Sequence, residues 1–538
     1  MCGILGIFEK KDLESKKAQE LSKRMRHRGP DMQDFQLNEN GTGIIAHERL
    51  AIIDLQTGRQ PIQGTKNAYV VHNGEIYNHE DLKQGILKDC TFRTSCDSEV
   101  IVKLYEKFGT EFCHLLDGVF GFIVMDGDDY MVARDPIGIK PLYYGQDENS
   151  AYYFASEMKA IEDQVVYLEA FPPGHYFTKK SGFIKYYHPE WEDLTNCKNE
   201  LDYTKLRNQL IESTRKRLMS DVLIGVLLSG GLDSSLISSI TARLLKEQGQ
   251  ELHSFSIGLD ESAPDVKAAK EVAEFIGTKH HSIHFTFEEG LSIINKLIWH
   301  LETYDVTSIR ASTPMYIMSK YITDMGIKVV LSGEGSDEIF GGYLYFHNAP
   351  SDEEFQKETI RRVKLLSTAD CLRADKSTMS WALEARVPFL DRDFLEVAMK
   401  INPSYKRPNR IEGKMEKYIL RKAFDDKESP WLPEHILWRQ KEQFSDGVGY
   451  SWIDQLIAYC CTQISDEEMA QADVLFPINT PTTKEALYMR KIFHSHFPSD
   501  AAAKTVKKWI PKWQDNKDPS GRASQIHEQT TVLVTSPL

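Results

Sequence analysis

Cys2 stands one residue from the start of the chain, so removal of Met1 would leave a thiol and a free α-amine on the same residue. An α-amine titrates near pH ~7.7 to 8.0, and its neutral fraction can take the thiol proton directly or through one water. Cys2 is thus a nucleophile that carries its own base. Further along lie Arg26-His27-Arg28-Gly29-Pro30-Asp31, His47-Glu48-Arg49-Leu50, His72-Asn73-Gly74-Glu75-Ile76-Tyr77-Asn78 and Ser95-Cys96-Asp97-Ser98-Glu99. Thiol hydrolysis of a carboxamide needs an oxyanion hole and grips on the charged end of the substrate as well as a nucleophile and base. Asn73-Gly74 can aim a side-chain amide and a backbone N–H at one oxyanion, although by itself the pair is also an ordinary turn. Arg49 has the fork that suits a carboxylate.

A second set of residues points to phosphate chemistry. Val226-Leu227-Leu228-Ser229-Gly230-Gly231-Leu232-Asp233-Ser234-Ser235 reads as strand, glycine turn and helix start, where backbone N–H groups can approach a phosphate. The Walker A lysine is missing. Val330-Leu331-Ser332-Gly333-Glu334-Gly335-Ser336-Asp337-Glu338 repeats the strand-to-loop pattern and should lie at the same carboxyl edge of a sheet. Trp438 to Trp452, with Lys441, and Thr307-Ser308-Ile309-Arg310-Ala311-Ser312-Thr313-Pro314 complete the candidates.

The N-terminal motifs resemble those of the class II glutamine amidotransferases. Ser229 to Ser234 resembles the pyrophosphate loop of the ATP pyrophosphatases, whose members cleave between the α and β phosphates. Together the halves are similar to the glutamine-hydrolysing asparagine synthetase family, bacterial and plant type, from Cys2 to about His527. The resemblance implies catalysis by Cys2, with Asn73 and Gly74 as oxyanion hole. The implied glutamine site is Arg49, Leu50, Ala51, Ile52, Ile53, Asn73, Gly74, Glu75 and Asp97, with Arg49 on the α-carboxylate and Asp97 and the Glu75 segment on the α-amine. Ala51 stands where relatives often carry serine, in a stretch expected to act through its backbone.

For the second half the resemblance implies an ATP site of Leu228, Ser229, Gly230, Gly231, Asp233, Ser234, Ile257, Ser332 and Gly333. Asp233 and Asp337 would share Mg²⁺, Glu334 would deprotonate incoming ammonia or ammonium, and Lys441 would reach the phosphates. Thr307, Ser308 and Arg310 would bind aspartate, Ser308 keeping the hydroxyl of a usual threonine. Glutamine would then yield ammonia, and ATP would convert aspartate to β-aspartyl-AMP, which ammonia turns into asparagine, AMP and pyrophosphate. Neutral ammonia must avoid bulk water, so a tunnel along the domain interface is expected, and the family implies a homodimer. One alternative keeps the architecture and takes another carboxylate acceptor. A non-catalytic binding protein is disfavoured because Cys2, Asn73, Asp233, Glu334, Asp337 and Lys441 are all present.

These residues need scaffolds. Residues 1–190 carry short apolar or alternating runs between Gly, Asn and Asp, with helical spacing near 12–26 and 97–108, a pattern that predicts a layered α/β sandwich. The resemblance makes it an Ntn-hydrolase αββα sandwich. From 203 onward helices and strands alternate, predicting a Rossmann-like parallel sheet covered on both faces, and 340–500 reads as largely helical. The expected divisions are a glutaminase domain at 2–190, a linker at 191–204, a synthetase domain at 205–515 and a polar tail at 516–538.

Composition sets the setting. The 65 Lys and Arg against 79 Asp and Glu give a net charge of −14, which with no long basic stretch argues against nucleic acid as partner. Eight cysteines without CxxC pairs read as reduced thiols of a cytoplasmic protein. No window approaches eighteen apolar residues, so no membrane span is expected.

Overall fold

The structure is a computed structural model that describes residues 2–409, 411–440, 449 and 451–513. Lys441 and the 516–538 tail lie outside the described residues.

Twelve strands are described before residue 190: β1 (Gly3–Phe8), β2 (Met32–Leu37), β3 (Ile44–Arg49), β4 (Ile62–Gln63), β5 (Ala68–Ile76), β6 (Gly118–Asp126), β7 (Asp129–Arg134), β8 (Tyr143–Gln146), β9 (Tyr152–Ala155), β10 (Tyr167–Ala170), β11 (His175–Thr178) and β12 (Gly182–Lys185). They form two six-stranded antiparallel sheets, ordered β10-β8-β9-β1-β3-β2 and β12-β11-β7-β6-β5-β4. Period-two alternation explains the layers. Ile4 and Phe8 of β1 belong to the core between the sheets with Val71, Ile123 and Val132. Leu5 and Ile7 face the other way, onto Ala18 and Leu21 of α1 (Ser15–Lys23). Beyond a short helix that the pattern did not reveal, α2 (His79–Gln84), comes α3 (Glu99–Phe108), which packs Val100, Ile101 and Leu104 on the far face of the second sheet. The order of layers is helix, sheet, sheet, helix.

After α4 (Tyr203–Lys216) come β13 (Ile224–Leu227), β14 (His253–Gly258), β15 (Lys279–His284), β16 (Val329–Leu331) and β17 (Glu384–Arg386), parallel in the order β15-β14-β13-β16-β17. One face is covered by α5 (Leu232–Glu247) and α6 (Pro264–Ile276), where Val226 and Leu228 meet Leu236, Ile240 and Val272. The other is covered by α7 (Phe287–Leu301) and α8 (Val306–Asp324), where Leu227, Phe255 and Ile257 meet Leu297, Ile298 and Ile309. Strand order reverses between β13 and β16, so their carboxyl ends flank a crevice.

The stretch expected as a linker is pinned, not loose, because Trp191 and Cys197 are buried in the second core. The halves also share an interface. Leu50 and Ile52 pack with Val329, Met379 and Ala382. Behind this apolar contact is a layer of buried charge: Arg28 reaches Asp375 at 2.8 Å, Lys159 reaches Glu302 at 3.0 Å, and Lys376 pairs with Glu302 while donating to the Tyr143 hydroxyl at 2.8 Å.

Candidate active sites

Cys2 precedes β1, beside β3 and against Asn73 of β5. It is buried, its backbone N–H donates to Asn73 Oδ1 at 2.9 Å, and its carbonyl accepts from Arg28 Nε at 2.9 Å. Burial pushes the thiol above its ordinary range, opposed by the hydrogen bond with the Leu50 backbone and by the Arg49 charge, so at rest it is a thiol that needs a base. The nearby imidazoles are poorly placed for that work. Burial lowers His47 to about 3 and His72 to about 4, and each ring nitrogen that bonds does so structurally, His47 Nε2 with the His72 carbonyl at 3.2 Å and His72 Nδ1 with Ser98 Oγ at 2.8 Å.

Asn73 Nδ2 has a long contact of 3.4 Å to Ser156 Oγ, and that hydroxyl also accepts from Ile4 N at 3.0 Å. Gly74 is in the left-handed half of backbone space at φ 150°, and a Cβ there would lie 1.9 Å from the Val119 carbonyl oxygen. Only glycine lets β5 approach β6 this closely. Arg49 is buried and curls its guanidinium over its own loop, donating to the Asp54 carbonyl at 2.6 Å and the Ile53 carbonyl at 3.4 Å. Asp97 accepts from Ile76 N at 2.8 Å. Ala51 N donates to Asp31 Oδ2 at 2.8 Å, and the Ile52 carbonyl accepts from Asp221 N at 3.1 Å.

Glu75 is placed where sequence spacing could not put it, against the second half of the chain. Its carboxylate lies 3.3 Å from Arg386, which also holds Glu384 at 2.5 Å. Burial and the Glu384 charge raise Glu75 well above the ordinary carboxylate range, whereas Arg386 helps to lower Glu384. The Arg386 carbonyl accepts from Ser332 N at 2.9 Å, so one residue of β17 touches both candidate sites.

The second site is a cavity at the crevice between β13 and β16. It is lined by Leu228, Ser229, Gly231, Asp233 and Ser234 from one loop, by Ser332, Gly333, Glu334 and Asp337 from the other, and by Ile257 at the end of β14. A Cβ at Gly333 would fall 2.8 Å from Ser234 N, so the two loops touch. Gly230 is the expected ATP residue that does not line the cavity. It makes the turn at φ 73°, where a Cβ would meet Ala268 at 2.5 Å, and its carbonyl accepts from Arg439 at 3.2 Å. Asp233 and Asp337 converge on one cation, the Lys417 ammonium, at 2.5 and 2.6 Å. Among the described residues no cluster of three or more His, Cys, Asp or Glu could hold a metal.

Glu334 pairs with Arg373 at 2.8 Å, and Arg373 also reaches Asp370 at 3.2 Å. Neither Arg373, inside the helix Asp370–Met379, nor Lys417, in the turn before the helix Tyr418–Ala423, belongs to a recognisable loop motif. The aspartate segment departs from expectation. Thr307 lines the cavity, but the Ser308 hydroxyl donates at 2.8 Å to Asp305, the N-cap of α8, and the Arg310 fork is engaged by Glu485 at 2.9 and 2.6 Å. A buried guanidinium needs a carboxylate, and Glu485 of the helix Lys484–His496 supplies it.

The fold and the two sites define a class: an αββα half with a buried cysteine beside Asn73, joined to a parallel-sheet half with glycine loops at its switch point. Glutamine amidotransferase domain matches residues 1–180, and asparagine synthase matches residues 205–354 and 348–516. Asparagine synthetase (glutamine-hydrolyzing) 1 of Arabidopsis thaliana is 50% identical over 568 residues, covering 100% of this chain and 97% of that protein. The root asparagine synthetase of Pisum sativum is 50% identical, over 97% of this chain and 94% of that protein. The probable asparagine synthetase of Dictyostelium discoideum is 49% identical, over 99% of this chain and 100% of that protein. The chain belongs to the glutamine-hydrolysing asparagine synthetase family.

Proposed function

We propose that this protein makes L-asparagine from L-aspartate and ATP, with ammonia taken from L-glutamine. The observation that carries the reading is the cavity in which Ser229 to Ser234 and Ser332 to Asp337 meet, in a chain whose Cys2 lies against Asn73. With Met1 removed, the Cys2 α-amine takes the thiol proton, and the sulfur adds to the glutamine amide carbon. Asn73 Nδ2 and Gly74 N–H receive the negative charge on oxygen. Collapse passes the proton held on the α-amine to the leaving nitrogen, expels ammonia and leaves a thioester, and water then releases glutamate. We assign Arg49 to the glutamine α-carboxylate through its fork, and Asp97 and Glu75 to the ammonium, Glu75 becoming ionised against that charge.

In the cavity the aspartate β-carboxylate attacks the α-phosphorus of ATP and pyrophosphate leaves. Ser229, Gly231 and Ser234 offer N–H and O–H donors to the departing phosphates. The convergent oxygens of Asp233 and Asp337 are the hard ligands that suit Mg²⁺ when phosphates supply the rest of its shell. Held by Asp233 and Asp337, Mg²⁺ would neutralise charge on the leaving pyrophosphate. Glu334, oriented by Arg373, takes a proton from the ammonium formed as ammonia adds to the acyl carbon, and AMP departs. Thr307 faces the aspartate end. Arg310 could serve there only if its pair with Glu485 opened. Lys441 keeps the phosphate role implied by its motif. Ammonia crosses between the sites along the interface that Arg386 spans.

All eight cysteines are free thiols, and no described helix is long and apolar enough to cross a membrane; a cytoplasmic homodimer belongs to the same reading. The domain divisions at 190 and 204 do so as well. Pyrophosphate release assayed with each of several carboxylate amino acids tests the acceptor. Release that requires aspartate is expected; release elicited by another carboxylate and not by aspartate would overturn it.

A further inference from the structure

Lys417 is a buried lysine at the phosphate end of the cavity. Its side chain is 1% exposed, and its ammonium lies 2.5 Å from Asp233 Oδ2 and 2.6 Å from Asp337 Oδ1. The other Asp233 oxygen accepts from Ser336 Oγ at 2.7 Å. The backbone at Lys417 is left-handed, at φ 58° and ψ 24°, a conformation that side chains other than Gly, Asn and Asp adopt rarely. Gly342 clears the path to the carboxylates, since a Cβ there would stand 2.0 Å from Lys417 Cε and 2.1 Å from Asp337 Oδ1. Three pieces of chain distant in sequence, at Asp233, at Ser336 to Gly342 and at Lys417, are therefore committed to placing an ammonium between two carboxylates.

Those carboxylates are the pair a divalent metal would use, so lysine and metal compete for the same oxygens. Without a cation the two anions would face each other across a few ångströms, which is costly away from water. We propose that Lys417 makes metal binding conditional on nucleotide. It neutralises Asp233 and Asp337 while the cavity is empty, and a bare divalent ion must displace a buried ammonium to enter. A metal that arrives on ATP brings phosphate oxygens that accept the displaced ammonium, so the exchange leaves no charge unpaired. Lys417 is a positioning residue in this scheme, acting through the carboxylates. The inference rests on the reading of Ser229 to Ser234 as the nucleotide loop.

The test uses the full chain without nucleotide and Mn²⁺ as the probe, its free concentration read by electron paramagnetic resonance. Lys417→Met and Lys417→Gln should bind Mn²⁺ at least about tenfold more tightly than the wild type, and adding Asp337→Asn should erase the gain. Lys417→Arg, which keeps the charge, should stay close to wild type. Equal Mn²⁺ affinity of wild type and neutral variants would overturn the proposal. So would failure of both neutral variants to fold while Lys417→Arg folds, since the lysine would then serve stability alone. Binding of Mn²⁺·ATP to the wild type tests the nucleotide reading separately: its absence removes that reading, whereas equal nucleotide-free affinities with ATP binding intact remove only the competition.

Discussion

Replacing Gly74 with alanine tests the amidotransferase site at its tightest point. A Cβ at Gly74 would stand 1.9 Å from the Val119 oxygen and 2.8 Å from Phe120 Cα, both backbone atoms of the neighbouring strand that cannot turn aside. Reaching even 3.0 Å requires β5 and β6 to part by about 1.1 Å at this step. The φ of 150° adds backbone strain of about 1 to 3 kcal/mol. The Gly74 N–H, one of the two proposed oxyanion donors, moves with the strand. A misplacement of about 1 Å costs on the order of 10²-fold, and loss of one oxyanion donor costs about 10² to 10³-fold, or roughly 2.7 to 4 kcal/mol. Glutamate release from glutamine should therefore fall by about two to three orders of magnitude in Gly74→Ala. Pyrophosphate release with ammonium and aspartate should stay within about twofold, since the strain sits in the other half. Glutaminase activity within about tenfold of wild type, in a variant shown to be folded, would refute the assignment of Gly74 to the oxyanion hole.

Other consequences follow from the same geometry. Asp233→Asn should abolish pyrophosphate release under both nitrogen sources while glutamine hydrolysis continues; simultaneous loss of both activities in a folded variant would count against two separate sites. Glu334→Gln should slow asparagine formation by about 10² to 10⁴-fold with little change in the ATP concentration needed for half rate, and an unchanged rate would remove it as proton acceptor. His47 and His72, held at about 3 and about 4 against an ordinary 6.5, stay neutral in the folded protein while the unfolded chain takes up protons. Stability should thus be complete above pH 6.5 and fall as the pH drops toward 4, each contributing about 1.4 kcal/mol per pH unit, and denaturation midpoints that are flat from pH 7 to 5 would contradict it. Lys376→Met should cost about 3 kcal/mol, the low end for a broken buried pair because Lys159 remains 3.0 Å from Glu302; adding Glu302→Gln should recover part, as chemical denaturation would show.

Local pattern made much of this molecule readable. Period-two runs such as Ala68 to Val71 and Phe120 to Met125 lie in strands, and the glycine loops after Leu227 and Leu331 lie at adjacent strand ends. Helix α5 begins at Leu232, straight after the glycine turn, with Gly231 as its N-cap. The strands β15 and β17 escaped notice for opposite reasons. Lys279 to His284 is a polar edge strand without alternation, and Glu384-Ala385-Arg386 is a buried strand whose Arg386 pairs with its own Glu384 and with Glu75 of the first half. Interactions between segments far apart in sequence carry no local signature. The engagement of Arg310 by Glu485, the pairing of Glu75 with Arg386 and the seat of Lys417 between two aspartates therefore had to be read from the fold.

In the proposed division of labour, Cys2 supplies ammonia to a separate adenylating site. The most direct measurement is pyrophosphate release with ATP, Mg²⁺ and aspartate, using glutamine and then ammonium, for wild type and Cys2→Ala. The wild type should use both nitrogen sources and Cys2→Ala only ammonium, at a rate within about twofold of wild type. Retention of glutamine-dependent release in Cys2→Ala, or loss of ammonium-dependent release along with it in a folded variant, would contradict the claim.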